Sequence, residues 1–441
     1  MRSGKPLRVA ELFAGVGGFR LGLQRVKSKD AFHVAWSNQW EPSTQKQHAS
    51  LVYEANWTAR NHFNHDIFDV LDDPEKFSTL QKADPDVLVG GFPCQDYSVA
   101  KPLNKSAGIV GEKGVLWWAI YRILEARIQD GKPIKYLILE NVDRLLKSPV
   151  NSRGRDFAVM LSSLLKLGYA VEWRVVNAAD YGFPQRRKRI FIVGYYSSTK
   201  LYKKLARHDA ENTVDDWQFN SGVFANALPI SPISTLLPPR GTAISTDPFQ
   251  VSQRYKPEIP EKSNFSNSGV AINGKYWTHE TRPEEISDYT DFIDRKEPLT
   301  LGDIVKRTKK VPEQYFIDEN TLGSWRYLKG AKSVPRTKTN GIVYTYDEGS
   351  MTFPDALDRP SRTIITGEGG TSPSRFKHVI HVKNRYRRLT PEELEDLNGF
   401  DRGFTVHPEV SEARRAFFMG NALVVGLVTR IATTLHDLIQ R

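Results

Sequence analysis

The chain contains a single cysteine in 441 residues. One thiol excludes an internal disulfide framework and any cysteine-rich zinc or iron–sulfur site, and it suits a reducing cytoplasm. No metal is called for. No apolar run reaches the length a membrane span requires, so no membrane partner is expected. The opening MRSGKPLRVAELF has a short apolar run and no cleavage pattern, so no secretory leader is expected either. Internal repeats and low-complexity tracts are absent.

What is present is ordinary globular material: 39% hydrophobic and 26% charged residues, enough for a real core and for two domains. The formal charge of +11 points to a polyanionic partner, nucleic acid first. A merely basic protein fits that number as well.

Residues 8–198 alternate strand and helix patterns. Apolar runs at 8–13 (RVAELF), 32–37 (FHVAWS), 86–89 (DVLV) and 136–139 (YLIL) read as buried strands. Stretches 19–26, 115–128 and 157–167 have helical spacing, and 171–176 with 190–195 read as a later strand pair. Such alternation predicts an α/β fold with a doubly wound, mostly parallel sheet. From about 199 to 355 Pro, Ser, Asn and Thr are frequent and periodicity is weak, which predicts a second, smaller, irregular domain. Within it, residues 326–338 carry five basic residues and no acid, with Trp325 and Tyr327 interleaved. That stretch suits a phosphate backbone or a solvated loop equally. Residues 356–411 read as a bridge, and 412–441 as a return to the first domain. Thr390-Pro391-Glu392-Glu393 is a helix start with cap, proline and capping-box glutamate, and 422–439 reads as a closing amphipathic helix.

RVAELF runs into Ala14-Gly15-Val16-Gly17-Gly18. A glycine-rich turn between the first strand and helix lets backbone approach a ligand closely. The dinucleotide fingerprint is incomplete, because its last glycine would fall at Arg20. A nucleoside without pyrophosphate fits better, and S-adenosylmethionine is such a ligand; a plain tight turn fits too. After the second strand come Gln39, Trp40 and Glu41. Either Gln39 or Glu41 can take ribose hydroxyls, and Trp40 can stack on adenine or fill a core. Asp66, ahead of Ile67, can accept from an adenine amino group or cap a helix.

Cys94 follows DVLV through Gly-Gly-Phe-Pro, with Pro93 fixing the backbone before it. Ligands bind beyond the carboxyl ends of parallel strands, so the thiol sits where chemistry is expected. A free cysteine is nevertheless more commonly buried and inert. Glu140 emerges after YLIL at the same edge, and a carboxylate there is costly unless paired or used. Alternate residues Gln185, Arg187 and Arg189 of QRRKR share a face if the run is a strand, with Arg186 and Lys188 pointing away.

Together these motifs resemble the bacterial cytosine-5 DNA methyltransferases of type II restriction–modification systems. FAGVGG, SNQW, DI, GGFPCQ, the Gly114-Val115-Leu116-Trp117 run, ENV, QRRKR, RPSRTI (359–364) and GNAL (420–423) occur in that family's order. They cover nearly all of the chain outside about 200–355. The resemblance implies that Cys94 is the nucleophile adding to carbon 6 of cytosine. It implies that Glu140 holds ring nitrogen 3 and the amino group, and that Arg187 and Arg189 orient base and thiolate. For the cofactor, S-adenosylmethionine, it implies Phe13, Gly15 and Gly17 at the methionine side. Gln39 stands where an acidic ribose ligand is usual, Trp40 stacks on adenine, and Asp66 and Ile67 meet its edge. Pro93 belongs to the same site, and Asn421 to the motif returning the closing helix beside the first strand.

The expected substrate is double-stranded DNA with the cytosine flipped out of the stack. The segment 95–113, with Ser98, Gly108 and Gly111, is expected to close over it. The 199–355 domain is then a target-recognition domain. A monomer in a bacterial cytoplasm, associated with the nucleoid, is expected, together with a restriction endonuclease acting on the same site without a stable complex. A tRNA cytosine-5 methyltransferase and a catalytically inactive DNA-binding protein are the competing readings.

Overall fold

The computed structural model describes residues 5–28, 30–57, 60–92, 116–233, 241–259, 261–337 and 341–441. They form two compact units. One comprises Met1–Asp180, Lys188–Ser287 and Val425–Arg441, the other Tyr181–Arg187 and Asp288–Val424.

The first unit is built on strands β1 (Leu7–Leu12), β2 (Phe32–Asn38), β3 (His62–Phe63), β4 (Val87–Gly91), β5 (Tyr136–Val142), β6 (Tyr169–Asn177) and β7 (Lys188–Tyr196). Their order is β3-β2-β1-β4-β5-β7-β6. The first five run parallel, and β7 is antiparallel to both β5 and β6. The expected doubly wound sheet and late strand pair are therefore present. The helices that connect the strands are α1 (Gly18–Gln24), α2 (His48–Trp57), α3 (Ile67–Asp72), α4 (Pro74–Ala83), α5 (Trp117–Gln129) and α6 (Arg155–Lys166).

The central strands are buried on both faces, as strands of a helix-covered parallel sheet are. Ala10, Leu12, Leu88, Leu137, Leu139, Ile190 and Ile192 join one core cluster with Ile120, Ile123 and Leu124 of α5 and Phe157, Leu161 and Leu164 of α6. Each such side chain taken fully out of water contributes about 1.5–3 kcal/mol. The strand order reverses direction between β1 and β4, which opens a crevice at their carboxyl ends. There Gly90 is required: a Cβ on it would lie 2.9 Å from the Leu12 carbonyl oxygen.

The boundary expected at 198/199 is not observed. Residues 199–287 belong to the first unit. They contribute β8 (Ile230–Pro232), β9 (Thr242–Ala243), β10 (Ser268–Ile272), β11 (Lys275–His279) and β12 (Thr281–Pro283). Strand β10 pairs antiparallel with β6, and β11 and β9 continue the sheet to ten strands. SGVAI is wholly buried, and Gly269 leaves the space that the Trp173 indole fills. The polar composition around it hid a five-residue strand that needs only an open sheet edge to form. Irregular sequence is thus no measure of which unit a segment joins.

The C-terminal boundary also moves. Helix Glu412–Asn421 belongs to the second unit, and the return begins at Val425. The closing helix, Val425–Gln440, packs against α1: the Thr429 hydroxyl donates to the Gly22 carbonyl at 2.9 Å.

The second unit contains an antiparallel ribbon of β13 (Lys332–Thr337) and β14 (Val343–Glu348), the pair β15 (Ile380–Val382) and β16 (Arg385–Arg387), and helices including Glu319–Lys329 and Pro391–Asn398. Thr390 and Glu393 form the expected capping box. Buried bidentate ion pairs brace this unit. Arg387 donates to both Glu393 oxygens at 2.8 Å, and Arg362 to both Asp355 oxygens at 2.6 and 3.1 Å. The basic stretch, which suited a phosphate backbone or a solvated loop equally, is the end of a helix followed by a strand, and Trp325 beside it is a core residue, 1% exposed. Lys329 is equally buried and donates to the carbonyls of Arg375 and Lys377. Burial lowers its pKa to about 8. Among the described residues no single helix is long and apolar enough to cross a membrane.

Candidate active site

The turn after β1 has the conformation its glycines suggested. Phe13, Gly15 and Gly17 all have positive φ, at 54°, 56° and 91°. The two glycines serve different ends. A Cβ on Gly17 would lie 2.1 Å from the Trp57 ring, whereas a Cβ on Gly15 would meet no atom of the described residues within 4 Å. Gly17 is required for packing at the start of α1, and Gly15 leaves its surroundings open. Gly17→Ala is therefore expected to lower the thermal midpoint by several degrees, through left-handed strain of about 1–2 kcal/mol and displacement of Trp57. An unchanged midpoint in calorimetry would contradict this packing account.

The end of β2 is tied to that turn. The Gln39 side-chain oxygen accepts from the Gly15 N–H at 2.7 Å. Asn38 donates to the carbonyls of Phe63 and His65, at 2.9 Å each, holding the segment that leads to Asp66. Trp40 is 38% exposed, so it is no core residue. Glu41 is held through its backbone by Gln47. One oxygen of Asp66 caps α3 through the Phe68 N–H at 3.0 Å, and Ile67 is buried behind it. An open glycine turn, an exposed indole, a side-chain amide and a carboxylate thus lie along the carboxyl ends of β1–β3. These groups fit a nucleoside without phosphates that carries a short charged tail, which is the chemistry of S-adenosylmethionine.

Glu11 was not singled out from the sequence. It lies fully buried in β1, accepting from the Tyr53 hydroxyl at 2.8 Å and the Arg20 N–H at 3.2 Å. Burial raises its pKa from 4.5 to about 7 against the opposing effect of those bonds. The folded protein thus holds a proton that the unfolded chain releases above pH 4.5. Stability from this group is full below about pH 4.5, declines as pH rises to about 7, and is flat beyond. Glu11→Gln is expected to remove that decline and to raise the unfolding free energy measured by urea titration at pH 8 by an amount on the order of 3 kcal/mol. Parallel pH profiles of the two proteins would refute it. The sequence signal was a charged residue inside an otherwise apolar strand.

On the other side of the crevice, β4 ends at Gly91 and Phe92, the last described residues before Pro93 and Cys94. Both of those positions, and the 95–113 segment, lie outside the described residues. The mount leading to them is defined. Phe92 is buried, and its carbonyl accepts from the Asn141 side chain at 2.8 Å. Asn141 is a second residue the sequence reading passed over, although it stands within ENV. Glu140 is directly opposite Gly91 in the β4–β5 register. A Cβ on Gly91 would lie 3.1 Å from a Glu140 carboxylate oxygen, so the glycine admits the carboxylate. The other oxygen receives Arg189 Nε at 2.8 Å, with both side chains largely buried.

The QRRKR run alternates in burial as expected, with Gln185 and Arg187 inside and Arg186 and Lys188 exposed. It is not one strand, however: β7 begins at Lys188, and the run passes from the second unit into the first. Gln185 bonds Asn398, the Leu397 carbonyl and the Ile364 N–H. Arg187 is 1% exposed and donates to the carbonyls of Ile364 and Gly420 at 3.1 and 2.7 Å. RPSRTI and GNAL are thereby joined through one guanidinium. Gly420 is obligatory there, since a Cβ would lie 2.4 Å from Ile365 and Thr366 backbone atoms. Asn421, the last residue of that helix, is exposed.

A sheet in this order, with a nucleoside-shaped turn after its first strand and a buried carboxylate–guanidinium pair across the crevice, defines an S-adenosylmethionine-dependent methyltransferase. The family model for the C-5 cytosine-specific DNA methylases matches residues 7–437, and the chain belongs to that family. It is similar to the type II methyltransferase M.Sau3AI of Staphylococcus aureus, with 42% identity over 98% of this chain and 96% of the relative. It is likewise similar to M.Bsp6I of Bacillus sp., with 34% identity over 98% of each. Among solved structures, the S. pombe Dnmt2 methyltransferase shares the fold, with a TM-score of 0.55, 13% identity and 98% coverage of each chain. The protein is accordingly a DNA cytosine-5 methyltransferase that uses S-adenosylmethionine.

Proposed function

We propose that this enzyme methylates one cytosine within a specific duplex sequence through a covalent intermediate on Cys94, and so protects DNA from a restriction endonuclease acting at the same site. The relatives' designation as type II methyltransferases supports the protective role. The observation that carries the chemistry is the Glu140–Arg189 pair at the carboxyl edge of β5, opposite the strand that delivers Cys94.

In this reading the Cys94 thiolate adds to carbon 6 of the flipped base. Glu140 holds ring nitrogen 3 and the exocyclic amine, which lets electron density move onto carbon 5. Arg189 fixes the carboxylate and faces the charge that develops on the ring. Arg187 braces the chain entering β7 and so positions Arg189. S-adenosylmethionine supplies an electrophilic methyl group to carbon 5. Loss of the carbon 5 proton then lets the thiolate leave. Gly15 and Phe13 would border the cofactor's methionine end, Gln39 or Glu41 its ribose, and Trp40, Asp66 and Ile67 its adenine. Pro93 and Asn421 complete that site. The second unit, from about residue 288, is the target-recognition element, and the enzyme acts as a monomer in the cytoplasm.

Bisulfite sequencing of DNA from an expressing host tests this directly. We expect 5-methylcytosine at every copy of one short sequence. Unmodified duplex DNA alongside methylated tRNA would overturn the proposal.

A further inference from the structure

The β13–β14 ribbon differs from every other described strand pair in being almost wholly exposed. Its register places Lys332, Val334, Arg336, Tyr344 and Tyr346 on one face, together with Glu348 at the root opposite Lys332. Val334 is 41% and Tyr344 38% exposed, and Tyr327 at the end of the preceding helix is 68% exposed. Two cations lie on aromatic rings here. The Arg336 guanidinium is 3.8 Å from the Tyr346 ring centroid, and Lys332 Nζ is 4.5 Å from that of Tyr327. Such stacking fixes a long side chain in one direction without consuming its donors. On the acidic side, Asp347 lies on the opposite face, bonded to Ser333, and Glu348 at the root is paired with Arg375 at 3.4 Å.

The root is clamped as firmly as the blade is bare. Arg375 donates to the carbonyls of Leu328, Gly330 and Gly349, and the Met351 N–H to that of Lys329. An isolated two-stranded ribbon with exposed apolar residues is marginal in water and prone to association. A rigid mount beneath such a blade makes sense if the blade enters something. Strands of six residues reach about 20 Å, and a two-stranded ribbon fits the roughly 12 Å wide major groove.

We propose that β13–β14 is the sequence-reading blade of this enzyme. It enters the major groove of the target duplex with the Lys332–Arg336–Tyr346 face toward the bases, and Arg336, held by Tyr346, reads a guanine of the recognition sequence. This rests on the proposed function above and narrows its target-recognition element to one ribbon. The occupant is duplex DNA because the face is cationic and aromatic, with carboxylates turned away or paired. A guanidinium aimed as a fork matches the O6 and N7 acceptors of guanine.

The test uses the full-length enzyme. Bisulfite sequencing first gives the wild-type methylation context. Duplexes carrying that site, and the site with each guanine changed singly, are then methylated in vitro. Wild type should discriminate against one guanine change, and Arg336→Ala should reduce that discrimination about ten-fold or more. Tyr346→Ala should do the same and Tyr346→Phe should not, since the ring remains. Neither position belongs to the buried core, so thermal midpoints should stay near wild type, and a shared loss of discrimination and midpoint would overturn the proposal. Unchanged context and discrimination in Arg336→Ala and Tyr346→Ala would overturn it while leaving the methyltransferase reading intact. Absence of 5-methylcytosine with wild type overturns both.

Discussion

Cys94→Ala is expected to abolish methyl transfer to DNA, by a factor on the order of 10^4 or more, the scale on which removing a covalent nucleophile acts. The same substitution removes the denaturation-resistant complex that wild type should form with DNA containing 5-fluorocytosine. Fluorine at carbon 5 cannot leave as a proton does, so the thiol cannot be expelled and the adduct persists. The reason the loss is large is chemical: carbon 5 of cytosine is a poor nucleophile until a group has added at carbon 6. Gly90 and Gly91 let β4 run tight against Leu12 and Glu140, and Asn141 holds the Phe92 carbonyl two residues before the thiol. Gel electrophoresis under denaturing conditions reads the adduct, and its survival in Cys94→Ala would remove the assignment.

Glu140 and Arg189 form the second case. Glu140→Gln is expected to lower the single-turnover rate about 10^2- to 10^3-fold, and Arg189→Ala about 10^2-fold, the range for losing one preorganised electrostatic partner. Arg189→Ala should also reduce stability by about 3 kcal/mol, because it strands a largely buried carboxylate. The double variant should fall little further than the worse single one, since the two groups act as a unit. Multiplicative losses would show that Arg189 does not act through Glu140. Retention of substrate binding distinguishes these effects from unfolding, because neither residue belongs to the cofactor turn.

How far the sequence carried depended on the range of the interaction concerned. The glycine turn, the strand end bearing Glu140 and the Thr390 cap are local: each follows from a few adjacent residues and the rule that ligands meet the carboxyl ends of parallel strands. Those features were legible, as was the α/β sheet itself. Trp40 and Asp66 were legible only as pairs of alternatives. Exposure then ruled out a core ring for Trp40, and the cap bond fixed the attitude of Asp66.

Other features needed contacts that no window of sequence contains. SGVAI became a strand because the β6 edge was there to receive it, which moved the unit boundary from 198 to 287. Lys329, one basic residue among five, lost its place on the surface to two carbonyls nearly fifty residues away. Arg187 read as a partner of Arg189 because they stand two apart, yet its guanidinium spans to Ile364 and Gly420. The sequence by itself determined the chemistry, since reactive groups are set by residue type and by position at strand ends. The tertiary structure alone decided which cations are buried braces and which are free to meet DNA. Burial is a property of the whole packed chain, and a cation's role reverses with it.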